Sequence, residues 1–559
     1  MRASVRDGAL VALVCLAVVG LGCSSPAPEP AADHGAHGAA GAAPERTTLL
    51  GNLGSYHRTI TTTSDEAQRF FDEGLTLLYG FNHEESYRSF ARAAALDENA
   101  PMPHWGMALA LGTNYNDTAT PDRLGQAHAH LVAAQQRAAN GSEVERAFID
   151  ALALRYVATP DDGQQAAREE AYARAMGEVS SRFPDDLDAA TLHAESLMNL
   201  RPWRLYTPDG QPAPGTDVIV ATLERVLKAS PAHPGANHYY IHATEASKTP
   251  ERALEAAKRL ETLVPGAGHL VHMPAHVYIR TGDYVASARS NAEAARVDER
   301  YIEATGATGM YPLMYYGHNL QFESAAEMYA GRLARARAAA RKTVALVEPL
   351  AGDVVMVQPF ALQEGLVLVR FGEWDDMLAM PAPPAGRPVQ EALYRYLIGA
   401  AHAGKGDLAS ATAAQKAFET AAAGVAPDVM ISASNTAVSV LDVARKDLAA
   451  RIADARGDRA QAVRAWEEAR AAEDALAYNE PPDWLLPTRE GLGHALLAAK
   501  RPADAETVFR EDLERNRRNP RSLHGLWKSL EARGQAAAAA AARAEFEAAW
   551  KVADVGIGR

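Results

Sequence analysis

Most of this chain repeats one pattern, in which a helix-forming stretch is followed by a tight turn and by a second stretch with small side chains three or four positions apart. The clearest turn is Gly282-Asp283-Tyr284, and the small side chains after it are Ser287, Asn291 and Ala294. Such a helix pair cannot bury its apolar side alone, so successive pairs must stack. The pattern therefore predicts an all-α array over residues 66–550, with apolar contacts between neighbouring pairs only and almost no strand.

The pattern resembles the tetratricopeptide repeat, a helix-turn-helix unit of 34 residues. In its frame one unit begins at Gly268, the preceding unit begins at Pro234, and a further unit begins at Gly317. The resemblance implies a right-handed α-solenoid whose concave groove is lined by positions 2, 5, 9 and 12 of each unit. Residues 200–215 and 302–316 do not fit the frame, and we interpret them as insertions between helices.

Composition divides the chain into five parts. Residues 1–22 have the pattern of a signal segment, and residues 23–46, rich in Ser, Pro, Ala and Gly, are predicted to form a flexible tether. Residues 47–379 are predicted to form an N-terminal superhelix with a histidine-rich groove. Residues 388–559 are predicted to form a C-terminal set of repeats, because the Pro- and Gly-rich residues 380–387 indicate a joint between the two.

The first residues indicate export and a lipid anchor. Arg2 and Arg6 precede an apolar or small run that ends at Gly22, which is typical of a cleaved secretory signal. The run then resembles the lipobox of bacterial lipoproteins, although Gly20 stands where that motif usually has Leu. The resemblance implies that Cys23 carries a lipid and anchors the chain to a membrane, facing the periplasm and with the outer membrane slightly favoured. The alternative is an ordinary signal-peptidase site close to a cysteine.

Charge and motifs exclude several classes of function. The formal net charge is −14 and no long basic run occurs, so the sequence lacks the concentrated Lys and Arg footprint that nucleic-acid binding needs. Residues 24–559 contain no nucleophile motif, glycine-rich phosphate loop or zinc-binding cysteine pair. Nucleotide-dependent and covalent catalysis are therefore disfavoured.

Histidines are concentrated in one short stretch, since five of the 18 lie between residues 238 and 276. Two sets have the spacing of one helix face: His238, His242 and Glu245 in one unit, and His269, His272 and His276 in the next. The 34-residue period makes His272 equivalent to His238 and His276 equivalent to His242. His318 occupies the same position of its own unit as His269. All of these positions line the predicted groove.

This arrangement predicts a metal site. Four histidines are expected to face one another across the groove, with three residues at its edge: His238, His242, His272 and His276, and then Glu245, His269 and His318. Imidazoles and a carboxylate suit a divalent transition metal such as zinc, copper or iron. Two alternatives stay open. The histidines form a polar lining for a peptide or small molecule without metal, or they only stack against Tyr239, Tyr240 and Tyr278.

Pro274 lies inside the second histidine helix. A proline there removes a backbone hydrogen bond and costs about 3 kcal/mol. We expect a break that redirects His276 relative to His269 and His272, and strain beside a histidine cluster favours a functional role.

Residues 237–242, 269–276, 480–484 and 489–493 also resemble a widespread group of bacterial tetratricopeptide-repeat proteins, which implies the fold and leaves the chemistry open. The sequence therefore predicts a membrane-anchored periplasmic repeat protein whose groove binds a metal ion, a protein or peptide partner, or both. The alternative is a metal-dependent enzyme, hydrolytic or oxidative, built on the same scaffold.

Overall fold

The computed structural model describes residues 47–160, 163–309 and 311–557. Within them the chain forms 25 α-helices, and its β-structure is limited to three isolated bridges. The helices in the first half are Asp65–Tyr79 (α1), His83–Leu96 (α2), Pro101–Ala110 (α3), Pro121–Arg137 (α4), Glu143–Leu152 (α5), Gln165–Arg182 (α6), Leu187–Met198 (α7), Thr216–Ala229 (α8), Pro234–Thr244 (α9), Leu254–Leu263 (α10), Gly268–His272 (α11) and Pro274–Thr281 (α12). Those in the second half are Tyr284–Thr305 (α13), Gly317–Tyr329 (α14), Leu333–Val347 (α15), Gln363–Phe371 (α16), Trp374–Leu378 (α17), Pro388–Gly404 (α18), Leu408–Ala422 (α19), Ala437–Arg456 (α20), Arg459–Asp474 (α21), Thr488–Ala498 (α22), Pro502–Arg515 (α23), Pro520–Ala532 (α24) and Ala536–Trp550 (α25).

Consecutive helices pack against one another along the chain, as α1 does on α2 and α20 does on α21. Helices two apart also touch, for example α18 and α20. This is the stacking of a helical-repeat solenoid. The predicted all-α fold class is confirmed.

The turn between α12 and α13 shows why the sequence pattern makes a helix pair. Gly282 ends α12 in the left-handed conformation at φ 81°, which glycine adopts without steric penalty. Asp283 then begins α13, because its side chain accepts a hydrogen bond from the backbone N–H of Ala286. The Gly-Asp-Tyr sequence thus supplies the end of one helix and the cap of the next.

Three helices begin at the predicted starts of repeats: α9 starts at Pro234, α11 at Gly268 and α14 at Gly317. Residues 200–215 form no helix, as expected of an insertion. The prediction for residues 302–316 was wrong in part. Helix α13 continues to Thr305, because no proline or glycine interrupts it before Gly306, and residues 311–316 form a π-helix.

Pro274 divides the second histidine helix, as the sequence indicates. Helix α11 ends at His272 and α12 begins at Pro274, with Met273 between them in helical conformation. Pro274 has no backbone N–H to donate to the preceding turn. The two short helices consequently follow each other with a break between His272 and His276.

The C-terminal helices fold back onto the middle of the chain, so the prediction of contacts between neighbouring repeats only was wrong. The backbone of Gly331 lies against the ring of Trp550, close enough that an added β-carbon would lie 2.7 Å from it. Arg370 donates two hydrogen bonds, of 2.8 and 2.9 Å, to the carboxylate of Glu490. A solenoid of this many helices curves far enough for distant parts to meet, and a local period does not encode that curvature.

The residues predicted as a joint, 380–387, connect α17 to α18 without helix. Buried side chains on both sides of them belong to one apolar core, in which Leu368 of α16 and Leu397 of α18 take part. The division into an N-terminal and a C-terminal superhelix stays a prediction.

The predicted signal segment, Cys23 and the tether up to residue 46 lie outside the described residues. Across the part of the chain that the structure describes, none of the helices combines the length and apolar character that crossing a bilayer requires.

Candidate metal centre

Six histidines form two adjacent groups of three. The first triad is His238, His242 and His269, and the second triad is His272, His276 and His318. In each triad, one ring nitrogen of every histidine lies within 4.8 Å of the corresponding nitrogens of the other two. Rings of different triads are as close as rings of the same triad: His242 and His276 have centroids 5.6 Å apart, as do His269 and His272. We call the two triads together with Glu245 the histidine centre.

The two triads are built alike. Each takes positions 5 and 9 of one repeat and position 2 of the next. The centroid separations correspond pair by pair: 4.9, 4.9 and 6.2 Å in the first triad and 4.6, 4.8 and 6.0 Å in the second. His269 and His318 are therefore full members of the triads, and the expectation that they lie at the edge was wrong. The first helix of the following repeat places the histidine at its position 2 beside the two histidines at positions 5 and 9 of the repeat before it.

Hydrogen bonds through Nδ1 fix the orientation of three of these rings, those of His238, His272 and His242. The Nδ1–H of His238 donates to the carbonyl oxygen of Tyr79 at 2.6 Å. The Nδ1–H of His272 donates to Oδ1 of Asn291 at 2.6 Å, and the Asn291 amide is itself oriented because its Nδ2 donates to the Ser287 carbonyl. Since both acceptors lack a hydrogen to give, each ring carries its hydrogen on Nδ1. The Nε2 lone pair is left for the centre.

Glu245 contacts one ring of each triad. Its Oε1 accepts a hydrogen bond from His242 Nδ1 at 2.9 Å, which turns the Nε2 atom of that ring inwards. Its Oε2 lies 2.6 Å from His276 Nδ1 in an ion-pair contact, and neither of these two atoms has a hydrogen-bond partner within the described residues. The prediction that Glu245 is a metal ligand stays a prediction.

The inward nitrogens lie close to one another. Nε2 of His269 lies 3.1 Å from Nε2 of His238, and Nε2 of His276 lies 2.7 Å from Nε2 of His272. A hydrogen on one ring of each pair, or a metal ion, can occupy the space between them. Nε2 of His242 is buried and has no hydrogen-bond partner within the described residues.

Burial and the Glu245 charge set the protonation of the rings. Burial lowers the pKa of His238, His269 and His272 well below the usual value, and lowers that of His318 to about 3. At His276 burial acts in the same direction, but the charge of Glu245 outweighs it and raises the pKa. Burial opposes ionisation of Glu245, yet His276 and His242 lower its pKa to about 2. The centre therefore offers mostly neutral imidazoles at neutral pH.

Five of the six histidines and Glu245 are buried, and the centre lies among aromatic rings. His238 and His272 are 0% exposed. The Phe81 ring lies 4.5 Å from the His238 ring, and the Phe322 ring lies 5.2 Å from the His276 ring. Such surroundings exclude water from the inward nitrogens.

Two aromatic residues beside the centre, Phe81 and Trp203, have a strained backbone. Phe81 has φ 56° and Trp203 has φ 59°, values that residues with a side chain rarely adopt. The Trp203 ring lies 5.7 Å from His242, and the Phe81 ring lies 6.0 Å from it. Strain of this kind costs about 1–3 kcal/mol per residue and is concentrated at functional sites.

The far end of the chain supplies a second buried carboxylate near the centre. Glu480 is 3% exposed, its Oε1 accepts a hydrogen bond from the Tyr478 hydroxyl, and its Oε2 has no hydrogen-bond partner within the described residues. Burial raises its pKa to about 7, while Arg280 and His276 act to lower it. Arg280 connects the two regions, since its Nε donates to the Glu245 carbonyl at 3.1 Å and lies 4.0 Å from Glu480.

Asp298 lies against the start of α11, the helix that carries His269 and His272. It is fully buried and accepts hydrogen bonds from Tyr311 Oη at 2.9 Å and Asn319 Nδ2 at 2.7 Å. A β-carbon on Gly268, the residue before His269, would lie 1.9 Å from its Oδ1. The absence of a side chain at Gly268 is therefore what allows this carboxyl group to sit against the start of α11.

We expect Asp298 to contribute less to stability as pH rises from about 4 to about 7 in the metal-free protein, opposite in sign to the buried histidines, whose lowered pKa values make stability rise with pH. Burial raises the Asp298 pKa to about 7, whereas an unfolded Asp titrates near 3.9. The folded state thus holds a proton that the unfolded state releases, so the contribution of Asp298 is fully present below pH 4 and is lost as pH rises through 7. Asp298→Asn should therefore raise the Tm at pH 8 relative to the Tm at pH 5, compared with the same difference in the wild type. An unchanged difference would show that Asp298 is ionised in the folded protein.

No family model and no curated protein matches the chain. Solved structures that resemble it include human IFIT1 with m7Gppp-AAAA, at 11% identity and a TM-score of 0.32 over 88% of this chain and 91% of that one. Yeast Tom70 is another, at 11% identity and a TM-score of 0.31 over 84% of this chain and 96% of that one. At such values no residue role or ligand carries over to this chain.

Proposed function

We propose that this protein is a metalloprotein that binds two transition-metal ions, one in each histidine triad. The observation that carries the proposal is the fixed inward direction of the Nε2 atoms. Three rings donate their Nδ1 hydrogens to a backbone carbonyl, an amide oxygen or a carboxylate, as metal-binding histidines almost always do. The buried Nε2 of His242, which has no hydrogen-bond partner within the described residues, is the lone pair that such an arrangement leaves for an ion.

The size of each triad suits an ion with three imidazole ligands. Metal–nitrogen bonds of about 2.0–2.1 Å place two nitrogens on a tetrahedral ion about 3.3 Å apart. The nitrogens of each triad already lie within 4.8 Å of one another, so small side-chain movements bring them onto an ion. Three protein ligands leave a fourth position open, which is the arrangement of catalytic rather than structural sites. Zinc, copper and iron all accept imidazole ligands.

The test is the metal content of the full chain, purified without chelator and measured by elemental analysis. We expect close to two ions per chain, or an uptake of two when the metal-free protein is titrated with zinc or copper at micromolar concentration. Protein that is metal-free and takes up neither metal would overturn the proposal. Uptake of a single ion would show that the triads do not act as two sites.

A protein or peptide partner is a separate candidate, and the histidine centre does not favour it. Five of its six rings are buried, all except that of His318, so they offer a partner little surface. The remainder of the concave surface stays the predicted site for such a partner.

We also propose that the metal centre faces the periplasm on a lipid anchor at Cys23, as the sequence predicts. In Cys23→Ala the mature chain should leave the membrane fraction, because residues 24–46 contain no apolar stretch that would hold it there. Fractionation followed by immunodetection measures this, with Ser24→Ala as the matched control that should stay membrane-bound. A Cys23→Ala protein that resists a high-salt wash and remains with membranes would contradict the anchor.

A further inference from the structure

We infer that the histidine centre is a pair of copper sites that binds dioxygen. This inference rests on the proposed function and names the metal and the substrate class of the same site. Four features of the described residues support it: the ligand set, the charge around it, the distance between the triads and the apolar surroundings.

The ligand set consists of imidazoles alone. Both groups of three whose ligand atoms lie within 4.8 Å of one another contain histidines only, and Glu245 lies on the Nδ1 side of His242 and His276, at 2.9 and 2.6 Å. Octahedral magnesium, calcium or manganese sites need oxygen ligands, and the common non-haem iron site needs one carboxylate with two histidines. Six nitrogen donors in two groups of three fit zinc or copper.

The buried charge then separates zinc from copper. Glu245 brings one negative charge, and the charge of Glu480 is shared with Arg280, 4.0 Å away. Two divalent ions would add four positive charges to this buried volume, whereas two cuprous ions add only two. Uncompensated buried charge is costly, so the centre favours the monovalent pair. Among the metals that imidazole binds well, copper is the one with a stable monovalent state.

The distance between the triads suits a diatomic substrate. Rings of opposite triads, such as His242 and His276, approach to 5.6 Å between centroids, so ions held by the two triads are neighbours. Each cuprous ion gives one electron, and dioxygen bound between them accepts two and becomes peroxide, held by two cupric ions. No proton is taken up or released in this step. The total charge of the centre also stays constant, because the ions gain two positive charges while the neutral ligand gains two negative ones.

The surroundings fit a small uncharged molecule. Phe81, Tyr115 and Phe322 are buried and have ring centroids 4.5–5.3 Å from histidine rings of the centre. An apolar enclosure admits dioxygen without a hydration shell and keeps water away from the peroxide.

The experiment adds two equivalents of Cu(I) to the metal-free full chain without oxygen, and then admits dioxygen. We expect one dioxygen consumed for every two coppers in an oxygen electrode. A new charge-transfer absorption should appear, with little electron paramagnetic resonance signal because the two cupric ions are coupled. His318→Ala should keep one copper and lose this uptake, so its copper stays cuprous; when the variant is loaded with Cu(II) instead, it should give the signal of an isolated cupric ion. His128→Ala, a histidine of α4 outside the centre, should behave as wild type.

Two outcomes would overturn the inference and leave the proposed function standing. One is that the protein retains two zinc ions when zinc and copper are offered together. The other is that the two-copper form consumes no dioxygen. If neither metal binds, the inference and the proposed function both fail.

Discussion

His242→Ala with His276→Ala is expected to reduce the bound metal from two ions per chain to none. His242 belongs to the first triad and His276 to the second, so each triad keeps only two imidazoles. The double change also removes both partners of Glu245, so we expect lower stability from its unpaired buried carboxylate. The helices themselves should form, because these side chains make no backbone hydrogen bonds. Elemental analysis together with circular dichroism measures both effects.

Further variants separate metal loss from misfolding. Adding Glu245→Gln to the double variant removes the buried charge and should recover stability without recovering metal. His269→Ala and His318→Ala leave Glu245 paired, and each should lose one ion because each removes one ligand from one triad. Two ions bound to the double variant would disprove the triads as ligands, even if every single variant folds.

Arg370→Ala is expected to destabilise the fold by about 3–5 kcal/mol. Arg370 is 7% exposed and holds the carboxylate of Glu490 with two hydrogen bonds, and Asn519 Nδ2 donates a third at 2.8 Å. Removing the guanidinium leaves Glu490 as a buried charge where α16 meets the C-terminal helices. Unfolding in urea, followed by circular dichroism, measures the loss.

The control for this prediction is the paired change Arg370→Met with Glu490→Leu. Replacing both partners by apolar groups is often close to neutral, because no charge is left without its partner. Arg174→Ala, which breaks the exposed contact with Glu170, should change the free energy of unfolding by less than about 1 kcal/mol. If Arg370→Ala unfolds at the wild-type urea concentration, the fold-back does not depend on this pair.

The repeat frame could be predicted from sequence because it depends on local geometry. Glycine in the left-handed conformation, a capping Asp and small side chains at fixed spacing specify a helix pair without reference to the rest of the chain, as Gly282 and Asp283 show. The same frame placed His238, His242, His272 and His276 on equivalent faces. What it could not give was the curvature that brings Trp550 against Gly331, since that is a sum of small rotations over many repeats.

Residues that support the histidines were harder to find, because they act through other side chains. Asn291 was interpreted as a small packing residue, although a polar amide at a packing position was itself a signal. Trp203 lies in the 200–215 insertion, which has no helical period from which to predict a contact with His242. Glu480 comes from the other end of the sequence and meets the centre only because the chain folds back.

Each triad takes two ligands from one repeat and the third from the next repeat, and this has a mechanical consequence. An ion held there cross-links the two repeats and fixes the angle at which they meet. Two such interfaces follow one another between α9 and α14, so loading and release of the ions would alter the pitch of the superhelix at two consecutive steps. Small changes of angle are magnified over the length of the remaining helices. The centre can therefore set the position of surfaces far from any histidine.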